Sequence, residues 1–131
     1  MLRFALALAV LASAHAQAAD RLASVETRPG TTVEYWRMDR DAARATLILL
    51  PGGDGALKLQ KNGLPASDNF LVRTRDAFAD AGFTVAIMGK PTDRAELDPQ
   101  FRASAEHVED IRVLAERLRT ELGKPVWLVA T

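Results

Sequence analysis

Three short runs of the chain are apolar at consecutive positions: "TLILL" (46–50), "TVAIM" (84–88) and "VWLVA" (126–130). Unbroken apolar runs of this length, bounded by turn residues, predict strands covered on both faces, as in the middle of a parallel sheet. Two helical segments lie between them. The first follows Asp68 as N-cap and stops at Gly82, with Leu71, Thr74, Phe78 and Ala81 at helical spacing. The second opens at Asp98-Pro99 and closes at Gly123. Its apolar stripe is Phe101, Ala105, Val108, Ile111, Ala115, Leu118 and Leu122. Upstream, Leu22 to Thr27 reads as a strand, Arg28-Pro29-Gly30 as a turn, and β-branched, aromatic "TTVEYWRM" (31–38) as its antiparallel return. The expected architecture is a three-layer α/β/α domain with a mostly parallel sheet and an N-terminal antiparallel hairpin.

The first 19 residues break this pattern. Arg3 precedes an apolar run, Phe4 to Ala12, and then small residues in A-x-A spacing, Ala14-His15-Ala16 and Ala16-Gln17-Ala18. This three-part order predicts a secretory signal peptide over residues 1–19, cleaved near Ala18 or Ala19. The run falls short of the roughly 20 residues that span a bilayer. The expected mature chain, residues 20–131, is exported to a periplasmic or extracellular space and keeps no membrane segment. His15 is lost with the leader.

Composition narrows the chemistry. The chain has 131 residues, of which 48% are apolar and 26% charged, within the range of one globular domain. Basic and acidic residues balance at 17 each, so no basic face argues for nucleic acid. Cysteine is absent, which excludes disulfides, thiolate metal sites and cysteine nucleophiles.

The loop after the first buried strand, "LLPGGDGAL", is the most informative. Ligands collect at the carboxyl ends of parallel strands, and adjacent glycines leave backbone N–H groups free to face an oxyanion or phosphate. Nucleotide motifs do not fit. Gly53 and Gly55 match the first two positions of G-x-G-x-x-G, but Lys58 occupies the third. Gly89-Lys90 is followed by Pro91 and has no correctly spaced preceding glycine for a Walker loop. A plain exit turn is the remaining alternative.

The order of elements, together with "LLPGGDG", "NFLVRTRDAFADAGF" and "PVWLVAT", resembles the amino-terminal half of an α/β-hydrolase, and in particular exported, dienelactone-hydrolase-like proteins. The resemblance covers the mature chain. It implies a partial α/β-hydrolase domain ending at its fifth strand, where that family continues into the nucleophile elbow G-x-S-x-G. Ala130 and Thr131 would fill the first two elbow positions, with Ala130 in place of the first glycine, and the serine would follow Thr131. The acid and histidine come later still in the family's order. The resemblance also implies a small-molecule, ester-like substrate, no cofactor or metal, and a half oxyanion hole from the backbone N–H of Gly53 with Asp54. A fragment lacking the nucleophile would be inactive as it stands. The competing reading is a non-enzymatic exported α/β binding module.

Other polar clusters have simpler readings. His107 and Asp110, three apart on the second helix, lack further ligands and fit a solvated face. Asp93, Glu96 and Asp98 follow the fourth strand; Asp98 reads as a helix cap, Glu96 as exposed, and the loop as a possible substrate rim. Arg73, Arg75 and Asp76 read as surface ion pairs, and Trp36 and Trp127 as core aromatics. The long segment "ALKLQKNGLPAS", with a turn at Asn62-Gly63, is a pocket wall or a surface loop.

Overall fold

The computed structural model describes residues 20–131; the signal peptide read over residues 1–19 lies outside them. Five strands are present: β1 (Arg21–Arg28), β2 (Thr31–Met38), β3 (Thr46–Leu50), β4 (Thr84–Pro91) and β5 (Val126–Ala130). Four helical segments connect them: α1 (Phe70–Arg73), α2 (Arg75–Asp80), α3 (Pro99–Arg102) and α4 (Ala105–Leu122). The strands form one sheet in the order β1-β2-β4-β3-β5.

The sheet is mixed, not mostly parallel. β1 and β2 are joined through the expected turn, where Gly30 has φ +71°, but β2 also pairs antiparallel with β4, Trp36 opposite Ile87. Only β4–β3 and β3–β5 are parallel. The physical reason lies in β2 itself. Tyr35, Trp36, Arg37 and Met38 are all buried, so this strand has two covered faces and must sit inside the sheet. The hairpin is therefore part of the sheet's interior, with only β1 at that edge.

Alternation along the strands separates two cores. Trp36, Met38, Leu47, Leu49, Val85 and Ile87 pack with Leu71, Val72 and Ala79 from α1 and α2. Val33, Tyr35, Ile48, Ala86 and Met88 pack with Leu114 and Leu118 from α4. Full burial of a leucine such as Leu114 or Leu118 stabilises by about 1.5–3 kcal/mol. Arg37, buried on β2, reaches Glu121 near the end of α4 at 2.8 Å and Asp39 at 2.6 Å.

Both predicted helices are broken in two. At Thr74 the side-chain hydroxyl donates to the Phe70 carbonyl at 2.8 Å and the backbone leaves helical geometry (ψ 7°). The N-cap of α1 is Asn69, not Asp68: the Asn69 Oδ1 accepts from the Leu71 N–H at 2.9 Å. Further on, Asp98 caps α3 as expected, accepting from the Phe101 N–H at 2.7 Å, but Ser104 then starts α4 with a new cap on His107. This restart changes the helical phase. The buried face of α4 is His107, Asp110, Leu114 and Leu118, while Ala105 and Val108 of the predicted stripe are exposed. Gly123, at φ +62°, ends α4 as predicted.

β5 forms the other edge of the sheet. Its residues are half-buried or exposed, and Trp127 is 64% exposed, so it is not a core aromatic among the described residues. Trp36 is.

Candidate functional site

β3 and β5 are adjacent and parallel, so their carboxyl ends leave the sheet side by side. The glycine loop Pro51–Gly55 starts at the end of β3. Gly53 and Asp54 are exposed, whereas Gly55 is buried. Gly53 has φ +82° and open space where a Cβ would stand; a Cβ on Gly55 (φ +77°) would lie 2.4 Å from Leu97 Cδ1. Gly55 is thus required by close packing, and Gly53 by its backbone conformation alone.

Thr131 closes one side of the loop. Its Oγ1 accepts from the Gly52 N–H at 3.2 Å and from Asn69 Nδ2 at 3.3 Å. Its own N–H faces the Leu50 carbonyl at 3.4 Å. Asn69 thereby links the start of α1 to the end of β5, since its other side-chain atom caps the helix.

Arg102 closes the opposite side. Its Nη2 donates to the carbonyls of Gly53 at 2.8 Å and Pro51 at 3.1 Å, and its Nε to the Leu97 carbonyl at 3.1 Å. A trans peptide points its N–H opposite to its C=O. The two carbonyls drawn to Arg102 therefore turn the Gly52 and Asp54 N–H groups to the far side, where Thr131 lies. The Gly52 donor is taken up by Thr131; the Gly53 and Asp54 N–H groups donate to no protein acceptor among the described residues. The Asp54 carbonyl accepts from the Leu97 N–H at 2.9 Å. Its carboxylate accepts from the Ala56 N–H at 2.9 Å, which, with Lys58 3.7 Å away, holds its pKa below the ordinary value.

Beside the loop, a cleft of about 210 Å³ lies between Ala56–Leu59 and the end of β4 at Gly89–Thr92, with Glu34 at its wall. The Asn62-Gly63 turn sits in a small irregular hairpin bridged at Leu59 and Pro65.

The remaining sequence candidates fall elsewhere. His107 and Asp110 do not form a solvated face: both are buried, because the restart of α4 rotates them inward. Asp110 accepts from Thr27 Oγ1 at 2.6 Å and from Arg28 Nε and Nη2 at 2.8 and 3.1 Å. Arg28 also grips Asp93 at 2.8 and 3.1 Å. Both carboxylates raise the Arg28 pKa further above its usual value, and Arg28 lowers that of Asp93. Asp93 is thus committed to an ion pair, Asp98 to its cap, and Glu96 is exposed, so the three carboxylates do not act as a pair. His107 stacks on Phe101 with ring centroids 5.3 Å apart, and its Nδ1 has no protein partner among the described residues. Burial and then the nearby Arg102 depress its pKa. Arg73 and Arg75 bond main-chain carbonyls, of Asp68 and Val72, in place of the expected carboxylates. Among the described residues, no group of three or more His, Cys, Asp or Glu side chains is placed to hold a metal ion.

Arg102 and Asn69 were not singled out by sequence reasoning, which read Thr131 as an elbow position and Gly52 only as one of a glycine pair. Arg102 reads in the sequence as one more helical surface cation, and no local motif marks it.

No protein-family model matches the chain, and no curated protein matches it significantly. Solved structures do. An α/β serine hydrolase homologue from Coxiella burnetii superposes with a TM-score of 0.56 at 12% identity, over 84% of this chain and 50% of that one. An α/β serine hydrolase without a lid from Xanthomonas campestris does so with 0.52 at 16% identity, again over 84% and 50%. The chain spans about half the length of these structures. At such identities the likeness is one of fold: an α/β domain with a mixed sheet that follows half of an α/β serine hydrolase.

Proposed function

We propose that this chain is the amino-terminal part of an exported serine hydrolase of the α/β-hydrolase fold, with its helices and sheet forming a three-layer α/β/α arrangement. The reaction is hydrolysis of an ester or related acyl compound through an acyl-serine intermediate. The Gly53 backbone N–H, with that of Asp54, supplies half of an oxyanion hole, and the serine follows Thr131. No cofactor is involved, and the substrate is a small ester-like molecule.

One observation carries this reading. The glycine loop touches Thr131 through the 3.2 Å bond from Gly52, so a residue continuing from β5 would emerge beside the free N–H groups of that loop. A nucleophile there and donors roughly 3 Å from its target carbonyl oxygen are what acyl transfer needs. In that arrangement serine attacks the acyl carbon, the C=O electron pair moves onto oxygen facing the donors, and collapse expels the alcohol. A histidine from later in the chain, held in place by the acid, takes the serine proton and gives it to the leaving alcohol; water then attacks the acyl-serine by the same route and releases the carboxylic acid and the free serine. The fold likeness to serine hydrolases supports the same reading. The leader pattern in residues 1–19 supports export, and a purified periplasmic or secreted form should begin at Ala19 or Asp20.

A fluorophosphonate serine probe tests the proposal. A chain extended through its downstream codons should label, and the chain ending at Thr131 should not. Labelling of the latter would implicate Ser24, Ser67 or Ser104 and reject the assignment; labelling of neither would favour a binding module. In the extended chain, Gly53→Pro removes the donor and should lower turnover about a hundredfold or more. Gly53→Ala keeps the N–H and meets no neighbouring atom within 4 Å, so although it shares the backbone strain at φ +82°, it should retain more activity than Gly53→Pro.

A further inference from the structure

We propose that Arg102 is the positioning residue of the glycine loop, orienting its peptide groups so that their donors face the β5 side. The inference rests on the functional reading above and adds a residue that lies on a different element from the loop it controls.

Three observations converge. All three hydrogen bonds of the Arg102 guanidinium go to main-chain carbonyls, two of them within the loop and one at Leu97. No carboxylate lies within ion-pair distance of it among the described residues, so its charge is not neutralised by a neighbouring side chain. Its own placement is firm: the preceding residue, Phe101, is buried, stacks on His107, and lies under Arg94 at 4.5 Å.

The consequences follow from peptide geometry. Carbonyls of Pro51 and Gly53 directed at one cation send the N–H groups of Gly52 and Asp54 the opposite way. Gly53, at φ +82° with no side chain, has a carbonyl whose protein donor is Arg102, while its neighbours are held by Thr131 on one side and Leu97 on the other. A fixed positive charge behind the Gly53–Asp54 peptide dipole favours negative charge in front of it, which is what develops on an acyl oxygen in the transition state. Lysine cannot reproduce the effect in full, because an ammonium lacks the planar fork that spans two carbonyls.

The test separates this inference from the hydrolase assignment. In the 131-residue chain, the backbone amide order parameter of Asp54 should be about 0.85 and fall below about 0.6 in Arg102→Met, with Ile48 and Leu49 in β3 unchanged. Arg102→Lys, which keeps the charge, should give intermediate values and decides the matter if the Met variant does not fold. In the extended chain, Arg102→Met should reduce kcat ten- to a hundredfold with KM nearly constant, and millimolar methylguanidine should restore part of it. Loop order untouched by both substitutions overturns the proposal, as does a loss confined to KM. If the extended chain shows no serine-dependent activity at all, the hydrolase reading fails while the order parameters still decide the role of Arg102.

Discussion

Asp110→Asn probes the buried network that ties β1 to α4. The side chain is fully buried and accepts three hydrogen bonds, from Thr27 and twice from Arg28. Asparagine keeps the shape but removes the charge and presents an N–H₂ where an acceptor stood. Breaking one partner out of a buried ion pair costs about 3–5 kcal/mol. Arg28 keeps its two bonds to Asp93, so the loss should sit near the lower end, about 2–4 kcal/mol. With a urea m-value of about 2 kcal/mol per molar, the midpoint should drop by about 1–2 M. Asp93→Asn is the internal contrast. That carboxylate is 36% exposed, and its loss should cost about 0–1 kcal/mol. Thr27→Val combined with Asp110→Asn should show a coupling of about 1 kcal/mol or more, since the two atoms stand 2.6 Å apart. Equilibrium unfolding of the four variants at neutral pH measures all of this. If Asp110→Asn shifts stability by less than about 0.5 kcal/mol, or no more than Asp93→Asn does, the network does not bear the load assigned to it here.

Gly55→Ala should destabilise by about 2–4 kcal/mol, because the positive φ and the Leu97 contact both oppose a methyl group; a melt within about 0.5 kcal/mol of the parent would contradict the packing. His107 has a folded-state pKa below its ordinary 6.5, so the unfolded chain binds its proton first, and stability should fall as pH drops below about 6.5 until the folded-state value is passed. The His107 contribution should not exceed about 1.4 kcal/mol per pH unit, and His107→Leu in a chain of residues 20–131, which has no other histidine, should remove it while leaving the loss at lower pH that the paired carboxylates Asp93 and Glu121 cause. A Trp36→Phe chain, left with Trp127 alone, should show red-shifted emission readily quenched by acrylamide, whereas Trp127→Phe should show shielded emission; the reverse ordering would place Trp127 in the core.

The elements themselves were legible. β2, β3 and β5 fall where the apolar and β-branched runs predict them, the turns at Gly30 and Asn62-Gly63 are present, and Gly82 and Gly123 end their helices at positive φ. These features depend on a few adjacent residues: side-chain periodicity, a proline ring, or the freedom of glycine. Asp98 as a cap is local in the same way.

What the tertiary structure decided concerns partners distant in the chain. Whether "TTVEYWRM" ends a hairpin or joins β4 inside a mixed sheet depends on pairing across roughly 50 residues of intervening chain, which no short-range pattern specifies. The phase of α4 turned on one competing cap, Ser104, and that single choice moved His107 and Asp110 from the expected solvated face into the interior. The glycine loop was visible as a motif, but its orientation was not. It is set by Arg102 from α3 on one side and by Thr131 and Asn69 on the other, contacts that exist only once strands β3 and β5 lie side by side.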